Sequence, residues 1–251
     1  MPSFDQHPIM SETKKTGILE HLRELRKRIL WSLIAVAVVS GIAFWQADPI
    51  FEILKKPAGD VQFIFIEVTE GFATYMKVCF IAGVIGAMPF IMYHFLMFLI
   101  PALTSREKRI VLLILPWVLL MFYGGIVFGY FFLVPPATGF LLHFGSSVAT
   151  IEPRMSNYVN FIMQLLLIIG LMFEMPVVTT FLTRVGVLSY RWLANKRKIW
   201  VILAFVISAI ITPTPDAINQ SIVAGTLIVL YELSIWLAWL VDKNKKKAPA
   251  P

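Results

Sequence analysis

The hydrophobic pattern is a series of long apolar stretches separated by short polar breaks. Apolar runs extend over Ile29–Trp45, Gly71–Ile100, Ile110–Val134, Asn157–Thr183, Ile199–Ile211 and Ala217–Val241. A helix rising ~1.5 Å per residue needs about 20 such residues to cross a ~30 Å hydrocarbon core. The alternation of a membrane β-barrel is absent. The pattern predicts an all-α integral membrane protein of six transmembrane helices over residues 18–241. Residues 1–17 read as a flexible N-terminus and residues 242–251, with Lys245-Lys246-Lys247, as a basic cytoplasmic tail. Ile199–Ile211 is short, reaching only about 20 Å. Thr212-Pro-Thr-Pro-Asp216 then turns the chain directly into the last run. Spans 5 and 6 are therefore expected to be short, a mismatch that thins a bilayer or draws helices together.

The breaks carry their own signals. The loop Ile50–Glu70 is interrupted most sharply at Pro57-Ala-Gly59-Asp60, and its Phe63-Ile-Phe-Ile66 run is too short to cross. It reads as a cap of short elements packed over the bundle. Pro89, Pro116 and Pro176 lie inside spans, Pro135-Pro136 closes the third, and a second cap-like loop follows to Ser156. Gly186 has the place of a helix C′ glycine. Loop lengths and proline positions do not match between spans 1–3 and 4–6, so no inverted repeat is read.

Ahead of the first span lies a charged octet, His21-Leu-Arg-Glu24-Leu-Arg26-Lys-Arg28. As a helix it aligns Ile18, Leu22, Leu25 and Ile29 on one side and sets Glu24 four residues before Arg28, a modest stabilising pair. Such a helix is expected to lie in the membrane interface and turn inward at Leu30-Trp31. Orientation alone accounts for the four cations, but not for an acid among them.

Composition agrees with the pattern. Hydrophobic residues make up 58 % and charged residues 15 %, against about 45–50 % and 25 % in soluble domains. The net charge of +7 does not require nucleic acid. Its cations cluster around the octet, at Arg106, Lys108 and Arg109, between Arg184 and Lys198, and in the C-terminal tail. Only Lys55, Lys56 and Arg154 fall on the other side. This bias predicts cytoplasmic N and C termini and extracytoplasmic caps. A lone Cys79 leaves no disulfide framework and no cysteine metal site. His94 and His143 do not face each other as haem ligands would. No phosphate-binding glycine loop, zinc spacing or nucleophile triad is present, so the chain reads as a non-enzyme without cofactor or metal.

Several polar residues remain as candidates. Glu174 and Glu232 sit mid-span at similar depth, and Gln164 adds another polar position. An intramembrane acid is a functional candidate or a protonated group hydrogen-bonded to a neighbouring helix. Glu107 closes a Thr104-Ser-Arg-Glu capping box, and Asp216 has the place of an N-cap, so helix capping is an alternative reading for both.

Four stretches in this order resemble the TatC family, the multispanning core of the twin-arginine protein translocase. They are the octet, Phe98-Leu-Ile-Pro-Ala-Leu-Thr-Ser-Arg-Glu107-Lys-Arg109, Phe173-Glu174-Met-Pro176 and Thr212-Pro-Thr-Pro-Asp216. The resemblance implies a receptor for twin-arginine signal peptides in the bacterial cytoplasmic membrane. It would assemble with single-span TatA- and TatB-type subunits and with further copies of itself, and pass folded proteins outward on the proton-motive force. Its lipid surroundings are the only other partner implied. By position Glu24 and Glu107 match the acids that receive the arginine pair, with Arg26 and Phe98 beside them. Pro57, Pro89, Glu174 and Asp216 match other sensitive positions. The residues also admit a small proton-coupled transporter using Glu174 and Glu232, or a membrane anchor for a peripheral complex.

Overall fold

The structure, a computed structural model, describes residues 9–99, 105–143, 152–212 and 217–247. Helix α1 (Ile9–Trp45) is one continuous rod of 37 residues. The octet is thus not a separate interfacial helix, and no turn occurs at Leu30-Trp31. Neither proline nor glycine interrupts that junction, so helix propagation carries the charged segment straight into the apolar one. The helix also includes residues 9–17, ahead of the boundary expected at residue 18.

Helix α2 (Ala47–Lys55) and a 3-10 turn (Lys56–Ala58) follow. They bury Ala47, Phe51, Leu54 and Ala58 over one end of the bundle, as a cap. The Tyr158 hydroxyl donates to the Leu54 carbonyl at 2.9 Å, and the Tyr130 hydroxyl to Ile53 at 2.8 Å. Gly59 takes φ +67°, a left-handed backbone that a glycine adopts without steric cost.

Helices α3 (Glu70–Gly86) and α4 (Met88–Leu99) occupy the place of the expected second span as a pair bent by 51°. Pro89 lies in the first turn of α4, beside the bend, where its missing N–H leaves no helical bond unmade. Helix α5 (Ser105–Phe128) passes through a π-helical turn (Gly129–Leu133) into α6 (Val134–His143). The third span therefore does not end at Pro135-Pro136. Both prolines fall in the first turn of α6, where the wide π turn before them absorbs the donors they lack.

Helix α7 (Met155–Phe173) is the hub. Half of the Met155–Val185 span is buried, against 11 % of the span in α1. Val159, Ile162, Leu165, Leu166 and Ile169 pack against the cap, α6, Ile211 and Val223. A break at Glu174 leads into α8 (Met175–Val185), which ends at Gly186 with φ +97°. Gly186 N–H donates to Leu182 at 3.1 Å and Val187 N–H to the same carbonyl at 2.9 Å, as expected of a C′ glycine.

Helices α9 (Tyr190–Asn195), α10 (Arg197–Ile211) and α11 (Ala217–Lys247) complete the described chain. Among the described residues, four helical segments are long and apolar enough to cross a membrane, or five if the bent α3/α4 pair is counted as one span. Helix α10, at 15 residues, is shorter than a full span, as its sequence predicts. The expected short sixth span does not hold. Helix α11 runs for 31 residues, and its Asn219–Lys243 stretch alone reaches the length of a full span. It continues through the basic segment to Lys247 because no proline or glycine interrupts it after Gly225. The hairpin residues 213–216, including Asp216, lie outside the described residues.

Helices approach closely where side chains are small. A Cβ on Gly83 would meet the Ser40 backbone of α1 at 2.7 Å. Gly125 admits Phe173 in the same way, which seats α5 on α7. Small residues of this kind set interhelical distance in membranes, where dispersion contacts replace the hydrophobic drive.

Candidate functional site

The acid of the octet occupies a distinct position on α1. Glu24 is half-buried, and its Oε1 accepts from Arg28 Nη2 at 2.5 Å and from Nε at 3.1 Å. One turn earlier, the His21 ring stacks on Phe98 of α4 at 4.3 Å and 17°. Phe98 thereby reaches the same end of α1 as Glu24. Arg23, Arg26 and Lys27 point to the exposed side. The result is a carboxylate already holding a guanidinium, bordered by an aromatic pair and ringed by cations. Glu107 lies in the first turn of α5. Its side chain, and Thr104 of the capping box, are outside the described residues.

Within the bundle the two mid-span acids differ. Glu174 sits at the α7–α8 break, 6 % exposed, and neither carboxylate oxygen has a hydrogen-bond partner among the described residues. Glu232 is half-exposed and paired with Arg197 through Nε at 2.8 Å and Nη2 at 2.9 Å. The similar depth expected of the two acids thus hides opposite environments, because Arg197 at the start of α10 reaches one and no described group reaches the other. Gln164 lies on the exposed side of α7 and lines a groove of about 520 Å³ with Asn157, Asn160, Arg154 and Thr138. The spacing of Asn157, Asn160 and Gln164 was readable as one helical stripe, but only Gln164 stood out in the sequence.

At the cap end a network went unread in the sequence. Buried Glu70 accepts from Arg154 Nε at 2.7 Å, from the Ser156 hydroxyl, and from Ile66 N–H at 2.8 Å. Arg154 also reaches Glu67 at 3.3 Å. The bonds to Glu70 hold the Arg154 guanidinium above its ordinary pKa. Beside Arg154, Ile64 N–H donates to the Pro153 carbonyl at 3.2 Å and the Ile64 carbonyl accepts from Met155 N–H at 3.0 Å, a single parallel bridge that ties the first cap to α7. The only signal was an acid in the first turn of α3, where a carboxylate suits the helix dipole. Pro57 belongs to the same cap, its carbonyl facing the Thr138 hydroxyl at 3.4 Å. Among the described residues no cluster of metal-ligating side chains occurs.

A family model described as "Sec-independent protein translocase protein (TatC)" matches residues 20–225, a stretch containing all four motifs. The chain belongs to the TatC family.

Relatives and solved structures agree with that assignment. A TatC protein of Koribacter versatilis is 37 % identical over 243 residues, covering 93 % of this chain and 89 % of that protein. One from Aquifex aeolicus is 40 % identical over 236 residues, covering 92 % and 98 %. A crystal structure of the twin arginine translocase receptor TatC superposes with a TM-score of 0.79 at 40 % identity. It covers 88 % of this chain and 99 % of the other. As a TatC-family member this is a multi-pass membrane component of a protein translocase and not an enzyme. The solute-transporter and anchor readings give way to it.

Proposed function

We propose that this TatC-family protein is the receptor for twin-arginine signal peptides, in the cytoplasmic membrane of a bacterium. Six spans with cytoplasmic N and C termini follow if α10 is counted as a short fifth span and the positive-inside bias sets orientation. Glu24 then lies at the cytoplasmic surface, as does the first turn of α5 with Glu107. Arg26 and Phe98 border the same site. TatA- and TatB-type single-span subunits join it in a larger assembly that exports folded proteins on the proton-motive force. Glu174, Gln164, Asp216, Pro57 and Pro89 serve that assembly or its conformational changes, within the bundle and the cap.

One observation carries the reading. The Glu24 carboxylate binds a guanidinium through two N–H groups in the free chain. An arginine side chain offers those donors in a planar fork, whereas lysine offers a single ammonium, so the acid favours arginine pairs over lysine pairs. The solved neighbour is likewise described as a twin arginine translocase receptor.

The test is binding of a labelled twin-arginine signal peptide to purified protein, beside the same peptide carrying two lysines. Charge-assisted bonds of roughly 1.5–3 kcal/mol predict a loss of about one to two decades in affinity for Glu24→Ala and for Glu107→Ala. Equal binding of both peptides by folded protein, unchanged by either substitution, would refute the receptor reading.

A further inference from the structure

The groove beside Gln164 lies at the cap end of the bundle, between α6, α7 and the last turn of α10. Its level in a bilayer follows from the helices around it. A ~30 Å core counted at ~1.5 Å per residue from Arg28, the last cation of the octet, ends at about Asp48. The Tyr75 hydroxyl donates to Asp48 at 3.0 Å, so the boundary crosses α3 near Tyr75. Glu70, which holds Arg154 and Ser156, then stands about 7 Å above it, in the headgroup layer. Descending α7 from Ser156, Asn160 reaches the boundary and Gln164 lies about 5 Å inside it. Helix α10 starts in the cations Arg197 and Lys198 and ends at Ile211, about 10 Å short of the same boundary.

We propose that this groove seats one glycerophospholipid of the cap-side leaflet. Its phosphate and ester carbonyls accept from Asn157, Asn160 and Gln164, and its headgroup is drawn below the surrounding ones. The proposal does not depend on what binds at Glu24. Three observations support it. The carboxamides of Asn157, Asn160 and Gln164 line the groove, and none has a hydrogen-bond partner among the described residues. Hydrocarbon alone cannot satisfy them, and an unpaired amide there is costly. Leu141, Leu142, Phe161, Ile210 and Ile211 make most of the remaining lining, which suits the acyl chains that come with a headgroup. At the mouth Arg154 commits Nε to Glu70 and Nη2 to Glu67, leaving Nη1 to donate to a phosphate oxygen. Water would satisfy the amides but not the apolar walls. A partner helix, 10–12 Å across with its side chains, would need about 800 Å³ or more along the ~10 Å amide stripe, against the groove's volume of about 520 Å³.

The experiment uses the full chain in phosphatidylethanolamine nanodiscs, released into mild detergent and weighed by native mass spectrometry. One phospholipid should stay bound to the unmodified protein. Asn160→Leu combined with Gln164→Leu removes two donors and should lower that occupancy about tenfold. Inorganic phosphate, which lacks acyl chains, should not displace the lipid. Diacylglycerol, which lacks the phosphate, should bind about tenfold more weakly or worse. In lipid-free detergent the double variant should melt no lower than the unmodified chain, because the two amides make no bond to the described residues. If it melts lower, Ile210→Trp decides, since it fills the groove, keeps the amides and should also expel the lipid. Full retention by the double variant or by Ile210→Trp, displacement by phosphate, or equal binding of diacylglycerol would overturn the headgroup site. An unmodified protein that retains no lipid would overturn it too, leaving water or a polar side chain of a partner helix against the amides.

Discussion

Arg28→Ala tests whether the guanidinium on Glu24 competes with the ligand. In the free chain Arg28 occupies Oε1 through two donors, with side-chain exposures of 19 % for Arg28 and 35 % for Glu24. A fully exposed i,i+4 pair is worth about 0.3–0.5 kcal/mol, and a buried charge-assisted bond roughly 1.5–3 kcal/mol. The partial burial places this pair between them, at about 1 kcal/mol, and an incoming arginine must displace it. Removing Arg28 should therefore tighten twin-arginine peptide binding about fivefold. The lysine peptide gains by the same factor, because either ligand must displace the same pair, so the preference for arginine is unchanged. Lys27→Ala removes the same charge from an exposed position that makes no such contact, and screening at physiological salt should hold its effect below about twofold. The assay is fluorescence anisotropy with a labelled peptide at two salt concentrations. Weaker binding in Arg28→Ala, or an equal gain in Lys27→Ala, would refute the competition argument.

Three other substitutions probe the frame that holds the site. Gly83→Ala puts a methyl group 2.7 Å from the Ser40 backbone, and overpacking should cost about 1–3 kcal/mol; an unchanged thermal midpoint in detergent would count against close α1–α3 packing. Tyr158→Phe leaves the buried Leu54 carbonyl without its 2.9 Å donor and should cost about 1–3 kcal/mol, read as a lower midpoint together with faster proteolysis of the α2 cap. Glu174→Met replaces an enclosed acid that has no partner among the described residues with an apolar side chain of similar length. It should raise the thermal midpoint, by about 1–3 kcal/mol of relieved burial, while lowering export in reconstituted vesicles. A lower midpoint would mean that the carboxylate has a partner outside the described residues.

Class, span positions and the charged motifs were legible in the sequence because each rests on local chemistry. Apolar length against bilayer thickness is a one-dimensional comparison, and it located the span in α1, the bent second span, the Met155–Val185 hub and the shortness of α10. The C′ glycine at Gly186 and the break at Gly59 were legible for the same reason, since a left-handed backbone selects glycine at that residue alone. Single-residue signals failed where two elements meet. Pro135-Pro136 reads as a stop, yet a π turn upstream admits the pair into the first turn of a continuing helix. Glu174 and Glu232 look equivalent along the chain, but the packing of α10 gives Arg197 to one and encloses the other. Glu70 and Arg154 are far apart in sequence and find each other only because the cap folds back onto α7. The groove at Asn157, Asn160 and Gln164 has only half a sequence signature. Its amides share one helical stripe, but the cavity they line exists because α6 and the end of the short α10 pack beside α7.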